Sequence, residues 1–345
     1  MRFSVEAPVR SRALLRLASV WGCLAAAAAA SAAEVPVCEV DRPVSLAGLD
    51  WESNDFHVAV ARFILREGYG CAVEAIPGST LPLLMAMARG DVDITLELWE
   101  DNLRDLVEPL RKAGRIEVLG VNYPDSEQGW YVPRYLVEGP SAPAPGLASV
   151  SDLPKYKELF RDREEPDKGR FHNGVAGWGA ERINTRKLIA YGLDRYFTNV
   201  RLSGTGEMEQ TIAAAYRMRR PILYYSWSPS WVSGSFDGVR LKEPPFDPGV
   251  WAELQTSESP TRATAYPTMR VRTAVNADFG RAAPELRAFV AAYRTEPALV
   301  SNALTVMRQT GSADDAARDF LKHRPDVWRP WLPEDVAARV ATALP

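Results

Sequence analysis

The sequence predicts an α/β protein of two lobes, the second inserted into the first, each lobe a mainly parallel sheet flanked by helices. Three observations predict it. Apolar strand-like runs alternate with amphipathic helical runs from residue 44 onward. A Pro- and Gly-rich break, GPSAPAPG at 139–146, interrupts that alternation, and a second α/β run follows it. A late strand-like run, TMRVRTAVN at 268–276, reads as a return to the first lobe. The lobes are then 34–138 with 268–345, and 139–267. At least two strands cross between them, and such crossings are natural hinges.

Taken in order, the chain opens with a signal rather than with fold. Arg2, Arg10, Arg12 and Arg16 precede an apolar run, Leu17 to Ala30, and Ser31, Ala32 and Ala33 supply small residues for cleavage. Residues 1–33 read as a secretory signal peptide. A membrane anchor is the alternative, but the run is shorter than the roughly 20 residues that span a bilayer. VWGC, ending at Cys23, also resembles a lipoprotein cleavage box. Cleavage near Ala33 leaves Cys38 and Cys71, and a pair of cysteines in an exported chain suggests a disulfide. Two buried free thiols are the other reading.

VSLAGL (44–49) is a strand. FHVAVARFILREG is a helix that Ser53 to Asp55 can cap and Gly68 can end. CAVEAI (71–76), the helix STLPLLMAMARG and VDITLEL (92–98) complete the first βαβ units. A helix near 102–112 leads to two strands, IEVLGVNY and GWYVPRYLVEG. The second lobe reads as a helix near 151–161, a strand, tight turn and helix in FHNGVAGWGAERINTRKLIAYGL, a helix at 207–219, and a strand starting at Pro221. Three helical segments follow the strand at 268–276: PELRAFVAAY, PALVSNALTVMRQ and PEDVAARVATAL.

Composition narrows the function. With a net charge of −3 there is no basic field for nucleic acid. His57, His172 and His323 lie far apart, and no metalloprotease, nucleophile-elbow or paired-cysteine pattern occurs. No phosphate-binding loop occurs either, so ATP hydrolysis would belong to a partner. The reading is a binding protein without a cofactor or metal; a secreted hydrolase is the remote alternative.

The ten tryptophans are informative by position. Trp51, Trp99, Trp178 and Trp227 each fall at or just past the end of a strand. That places them at the carboxyl edge of a parallel sheet, where ligands bind in open α/β folds. Trp51 and Trp99 come from one lobe, Trp178 and Trp227 from the other. A box of indole faces suits a quaternary ammonium, which carries charge but has no N–H to donate. Gly177 and Gly179 flank Trp178, and the helix that follows offers free N–H groups and a positive dipole end for a carboxylate. An ammonium at one end and a carboxylate at the other describe a betaine.

GDVDITLELW, NGVAGWGAERIN, PILYYSWSPSW and AYPTMRVRTAVN resemble, in that order, the glycine betaine- and choline-type substrate-binding proteins of ABC uptake systems. The resemblance covers nearly all of the chain after the signal. It implies a type II periplasmic binding fold with the ligand cleft between the lobes, a periplasmic location, and delivery of an osmolyte to a permease driven by an ATPase. It implies glycine betaine as the ligand, with choline, carnitine or another methylated amine as alternatives; a sensor reporting to a receptor would use the same pocket. By the same resemblance Trp99, Trp178 and Trp227 form a three-walled box, and the N–H groups of Gly179 and Ala180 hold the carboxylate. Trp51 and Trp130 fall near cage positions of choline-binding relatives. Trp231 matches a family aromatic position that is not a box wall. A His that in a well-known member touches the carboxylate is here Leu103, and Gly174 and Ala180 stand where that member has a disulfide. Arg182 is a substitute grip or a surface residue, and Glu97 is a counter-charge or faces away.

Overall fold

The computed structural model describes residues 37–345, so the expected signal peptide and Cys23 lie outside the described residues. Among the described residues nine strands join edge to edge. They are β1 (Val44–Leu49), β2 (Val73–Gly78), β3 (Ile94–Leu98), β4 (Ile116–Pro133), β5 (Gly169–Val175), β6 (Phe197–Leu202), β7 (Leu223–Ser228), β8 (Gly238–Arg240) and β9 (Met269–Asn276). Their order is β2-β1-β3-β9-β4-β7-β5-β6, with β8 also paired to β4.

β1 and β3 are buried almost throughout because helices cover both faces, which is why they read as continuous apolar runs. The helix Glu52–Phe63 starts directly after Trp51, earlier than expected. Ser53 to Asp55 therefore lie inside it, and Glu52 and Asp55 suit the positive end of its dipole. The helix Thr80–Arg89 stops where Gly90 turns left-handed, at φ 91°. Cys38 and Cys71 are joined by a disulfide, which ties the start of the described chain to the approach to β2.

β4 departs from expectation. The two strands read from sequence are one strand of 18 residues. The polar residues between them stay extended because partners are available throughout: β9 pairs with Ile116 to Ser126, and β7 and β8 pair with Glu127 to Pro133. Tertiary pairing has overridden local turn character. The expected helix near 151–161 is a 3₁₀ run, Val150–Phe160. β6 and the helices Pro248–Thr256 and Ala313–His323 carried no signal that sequence reading had picked up.

Strand direction makes the cleft. β1, β2 and β3 are mutually parallel, and β5, β6 and β7 are mutually parallel. β9 runs antiparallel to β3, β4 antiparallel to β9, and β7 antiparallel to β4. The two parallel sets therefore run in opposite senses. β3 ends with Leu98 opposite Arg272, itself opposite Val121 of β4; β7 ends with Ser228 opposite Glu127. Both sets of carboxyl ends thus meet over the middle of β4.

The core follows the same division. One cluster, with Phe56, Phe289, Tyr293, Phe320, Trp328 and Trp331, packs the C-terminal helices against β1, β3 and β9. The other passes through the cleft to Trp130, Phe171 and Phe197 beside β5 and β6.

Candidate ligand-binding site

The meeting of strand ends encloses a cavity. Trp51, Trp99, Trp178, Tyr225 and Trp227 line it with aromatic faces. Thr80, Asn102 and Gln128 add polar groups, and Leu103, Gly179 and Ala180 close the remainder. The space open to the centre of a water-sized sphere is about 30 Å³, room for a small solute and not for a peptide.

Trp178 is the keystone of the rings. It meets Trp51 edge-to-face at 5.3 Å and Trp227 edge-to-face at 5.2 Å, and Trp227 stacks on Tyr225 at 5.9 Å. Such contacts favour the fixed orientation that a cage needs. The N–H edges are tied down too. Trp178 Nε1 donates to Asp50 Oδ1 at 2.7 Å across the cleft. Trp51 and Trp99 both donate to Glu97 Oε2, at 2.8 and 3.1 Å, and Tyr123 donates its hydroxyl to the same oxygen at 3.0 Å. Trp227 is held through its loop, where Ser230 donates to the Trp227 carbonyl at 2.6 Å.

Glycine makes the turn after β5 possible. Gly177 has φ +91°, and a Cβ there would meet Ser79 Oγ at 2.5 Å. A Cβ on Gly179 would meet Leu103 Cδ2 at 2.8 Å and Asn102 Cβ at 3.2 Å, so this backbone approaches the opposite wall closely. No side chain caps the helix Gly179–Ala190, which leaves its first N–H groups for a ligand.

The polar corner is a small network. Gln128 Oε1 accepts from Tyr225 at 2.6 Å and from Asn102 at 3.2 Å, while Asn102 Oδ1 is buried without a partner. Among the described residues no Arg, Lys or His lines the cavity. Arg182 does not serve as a substitute grip: both its terminal nitrogens bond Asp105 at 2.7 Å, bridging the cleft beside the cavity. Trp251 Nε1 likewise crosses to the Asp101 carbonyl at 2.8 Å.

Electrostatics behind the walls are unusual. Burial raises the Glu97 carboxyl above its ordinary range, with Ser53 and the Trp51, Trp99 and Tyr123 hydrogen bonds acting against it. Burial pushes His57 down to about 3, so it stands neutral, 3.7 Å from Glu97 Oε1 and 2.9 Å from the Tyr293 hydroxyl. Burial also raises Asp50, and the Trp178 hydrogen bond opposes the rise.

The structure brings Trp51, Trp99, Trp178, Trp227, Gly179 and Ala180 to one cavity. Trp130 is not with them. It is fully buried beneath, packed on Phe171 at 4.3 Å, with Nε1 donating to Asn184 Oδ1 at 2.7 Å. It shares a face of β4 with Gln128 and pairs with Tyr225, so it is displaced along the strand beneath the cavity and not turned to the other side of the sheet. Asn184 also accepts from Tyr266 at 2.8 Å, whose hydroxyl reaches the Ala180 carbonyl at 3.3 Å, so Trp130 supports the site from below. Trp231 is also outside the cavity: the Arg308 guanidinium lies 4.2 Å over its ring. Asp50, Thr80, Asn102, Tyr123, Tyr225 and Gln128 were not singled out from sequence. Glu97 in an otherwise buried strand was the available signal, because a charge there requires a partner.

Residues 42–323 match the family described as the substrate binding domain of ABC-type glycine betaine transport systems. The glycine betaine/proline betaine-binding periplasmic protein of Escherichia coli K12 is 28% identical over 180 residues, 51% of this chain and 49% of that one. The chain spans about half the length of the curated relatives it matches. Among solved structures, a glycine betaine/L-proline-binding protein from Borrelia burgdorferi superposes with TM-score 0.70 at 19% identity, covering 87% of this chain and 100% of that one. A choline-binding protein of an ABC transporter, in complex with choline, gives TM-score 0.70 at 17% identity, over 88% of this chain and 98% of that one. At such identities the likeness establishes the fold, the two-lobed type II periplasmic binding architecture.

Proposed function

The chain belongs to the family of substrate-binding domains of ABC-type glycine betaine transport systems, and from that premise we propose that it captures a quaternary-ammonium osmolyte outside the cytoplasm and hands it to a permease. Glycine betaine is the ligand this reading favours. The observation that carries it is the gathering of Trp99, Trp178 and Trp227, with Trp51, around one small cavity beside the uncapped start of the helix Gly179–Ala190. Each desolvated ring attracts a methylated ammonium by about 0.5–2 kcal/mol. Four rings support micromolar affinity, on the order of −8 kcal/mol, after the costs of closure. The N–H groups of Gly179 and Ala180 take the carboxylate.

One observation favours a second ligand, choline. Leu103 stands where a well-known family member has a carboxylate-touching His, and among the described residues no cationic side chain lines the cavity. A ligand without a carboxylate needs no such grip. Carnitine and other methylated amines belong to the same class.

The lobes we assign are 34–138 with 268–345, and 139–267, hinged at β4 and β9. Residues 1–33 act as an export signal and place the protein in the periplasm. The ATPase that drives uptake is a separate partner, and this chain works as a binder and not as an enzyme. Among the described residues no helix is long and apolar enough to cross a membrane. Titration calorimetry with glycine betaine, proline betaine, carnitine and choline tests the reading: saturable micromolar heats with at least one supports it, and silence with all four refutes it.

A further inference from the structure

We propose that Glu97 and Asp50, hidden behind the indole walls, are the residues that make the cavity select for positive charge and not for shape alone. This rests on the reading of the cavity as a quaternary-ammonium site. Glu97 and Asp50 are absent from its lining, yet between them they hold the N–H edges of three of its four tryptophans.

The arrangement resolves a conflict in the chemistry. A methylated ammonium cannot donate a hydrogen bond, so a carboxylate facing it directly would be desolvated with nothing to satisfy its oxygens. Set behind the rings, the same carboxylate is satisfied by indole N–H groups, and the wall facing the methyl groups stays apolar. Its charge still acts on the ligand in two ways. It attracts the cation through a medium poorer in screening than water. It also draws on the N–H dipole and enriches the ring face whose negative quadrupole holds the cation.

Three donors converge on Glu97 and favour its anion, against the rise that burial imposes. Oε2 accepts from Trp51, Trp99 and Tyr123 together, and such donors bond an ionised oxygen more strongly than a neutral one. Oε1 makes no hydrogen bond among the described residues; His57 Nε2 stands 3.7 Å away, and Ser53 is the nearby hydroxyl. No Arg or Lys pairs with Glu97 in any hydrogen bond or ion pair among the described residues, so its charge is not cancelled locally. A structural role alone would be met by Gln at this position, whose amide oxygen also accepts.

The test compares each ammonium ligand with its neutral-carbon isostere: choline with 3,3-dimethylbutan-1-ol, and glycine betaine with 3,3-dimethylbutanoate. The pairs share shape and differ by one positive charge. Calorimetry on the wild-type protein and on Glu97→Gln is expected to show the preference for the ammonium member falling by about tenfold in the variant, with affinity for the isostere held within about twofold. Asp50→Asn, at the half-buried edge of the site, is expected to lower the same preference by about threefold, and it decides the matter should Glu97→Gln not fold. An unchanged preference in a folded variant, or equal weakening of both members, overturns the proposal and leaves the ligand class standing. A wild-type protein that binds no quaternary ammonium overturns both.

Discussion

Trp227→Ala removes one wall and the stacking partner of Tyr225. It is expected to weaken ligand binding by about 1–3 kcal/mol in calorimetry, and to lower thermal stability as well, since the ring is buried against Trp178 and Tyr225. Trp130→Phe should separate the two effects. It deletes the hydrogen bond to Asn184 within a packed core, so stability is expected to fall by about 1–2 kcal/mol in denaturant unfolding, while affinity changes by less than about threefold. The sequence showed where the first kind of tryptophan sits, because position at a strand end is a property of the chain order. It did not separate Trp130, because Trp130 shares a face of β4 with the cavity residue Gln128, and only the pairing with β7 fixes how far along the strand the cavity reaches. Nor did it show that Asp50 and Glu97 receive indole donors, since side-chain direction at those positions depends on neighbours 46 and 128 residues away.

In the proposed site, the segment from Gly177 into the helix Gly179–Ala190 is where an element's backbone would do the recognising. Gly179→Ala would drive a methyl against Leu103 and Asn102 on the facing wall. Overpacking of this kind costs about 1–3 kcal/mol. The affinity is expected to drop accordingly, and Leu103→Ala in the same chain is expected to restore part of it. At the opposite end of the fold, the disulfide closes a separation of 33 residues. Replacing Cys38 and Cys71 by Ser should lower stability by about 3–4 kcal/mol in the chain-entropy account, read by denaturant titration. Elements of strong period and clear punctuation were legible: β1, β3, β7, β9 and the helix Thr80–Arg89 fall within a few residues of where the pattern puts them. β4 was not, because its middle is polar and is held extended by partners from elsewhere in the chain. β6, FTNVRL, mixes polar and apolar residues and is made a strand by pairing with β5.

At the scale of the whole molecule, several charges clasp the cleft. Arg308 pairs with Glu52 on one side and Glu209 on the other while lying over Trp231. Burial and then the charge of Glu209 push the Glu52 carboxyl from 4.5 up to about 7, with Arg308 pulling it down. A carboxyl raised on folding stabilises the fold in its protonated form; that contribution is complete below pH 4.5 and is lost as the pH climbs through about 7. Glu52→Gln is therefore expected to raise the melting temperature above wild type at pH 8 and to give no such gain at pH 5, as thermal unfolding at the two pH values would show.

β4 runs unbroken through both halves, and its pairing with β9 slips register at three places between Val118 and Ser126. A gape opened at that point cannot swing on slack chain. The twist has to be absorbed within a hydrogen-bonded ribbon, which behaves as a flexure and not as a pin joint. Any such opening would be limited by the ladder itself, and each outer face would turn with its own parallel strands. Whatever docks on those faces would sense the angle between them, a single coordinate set by whether the jaws have shut.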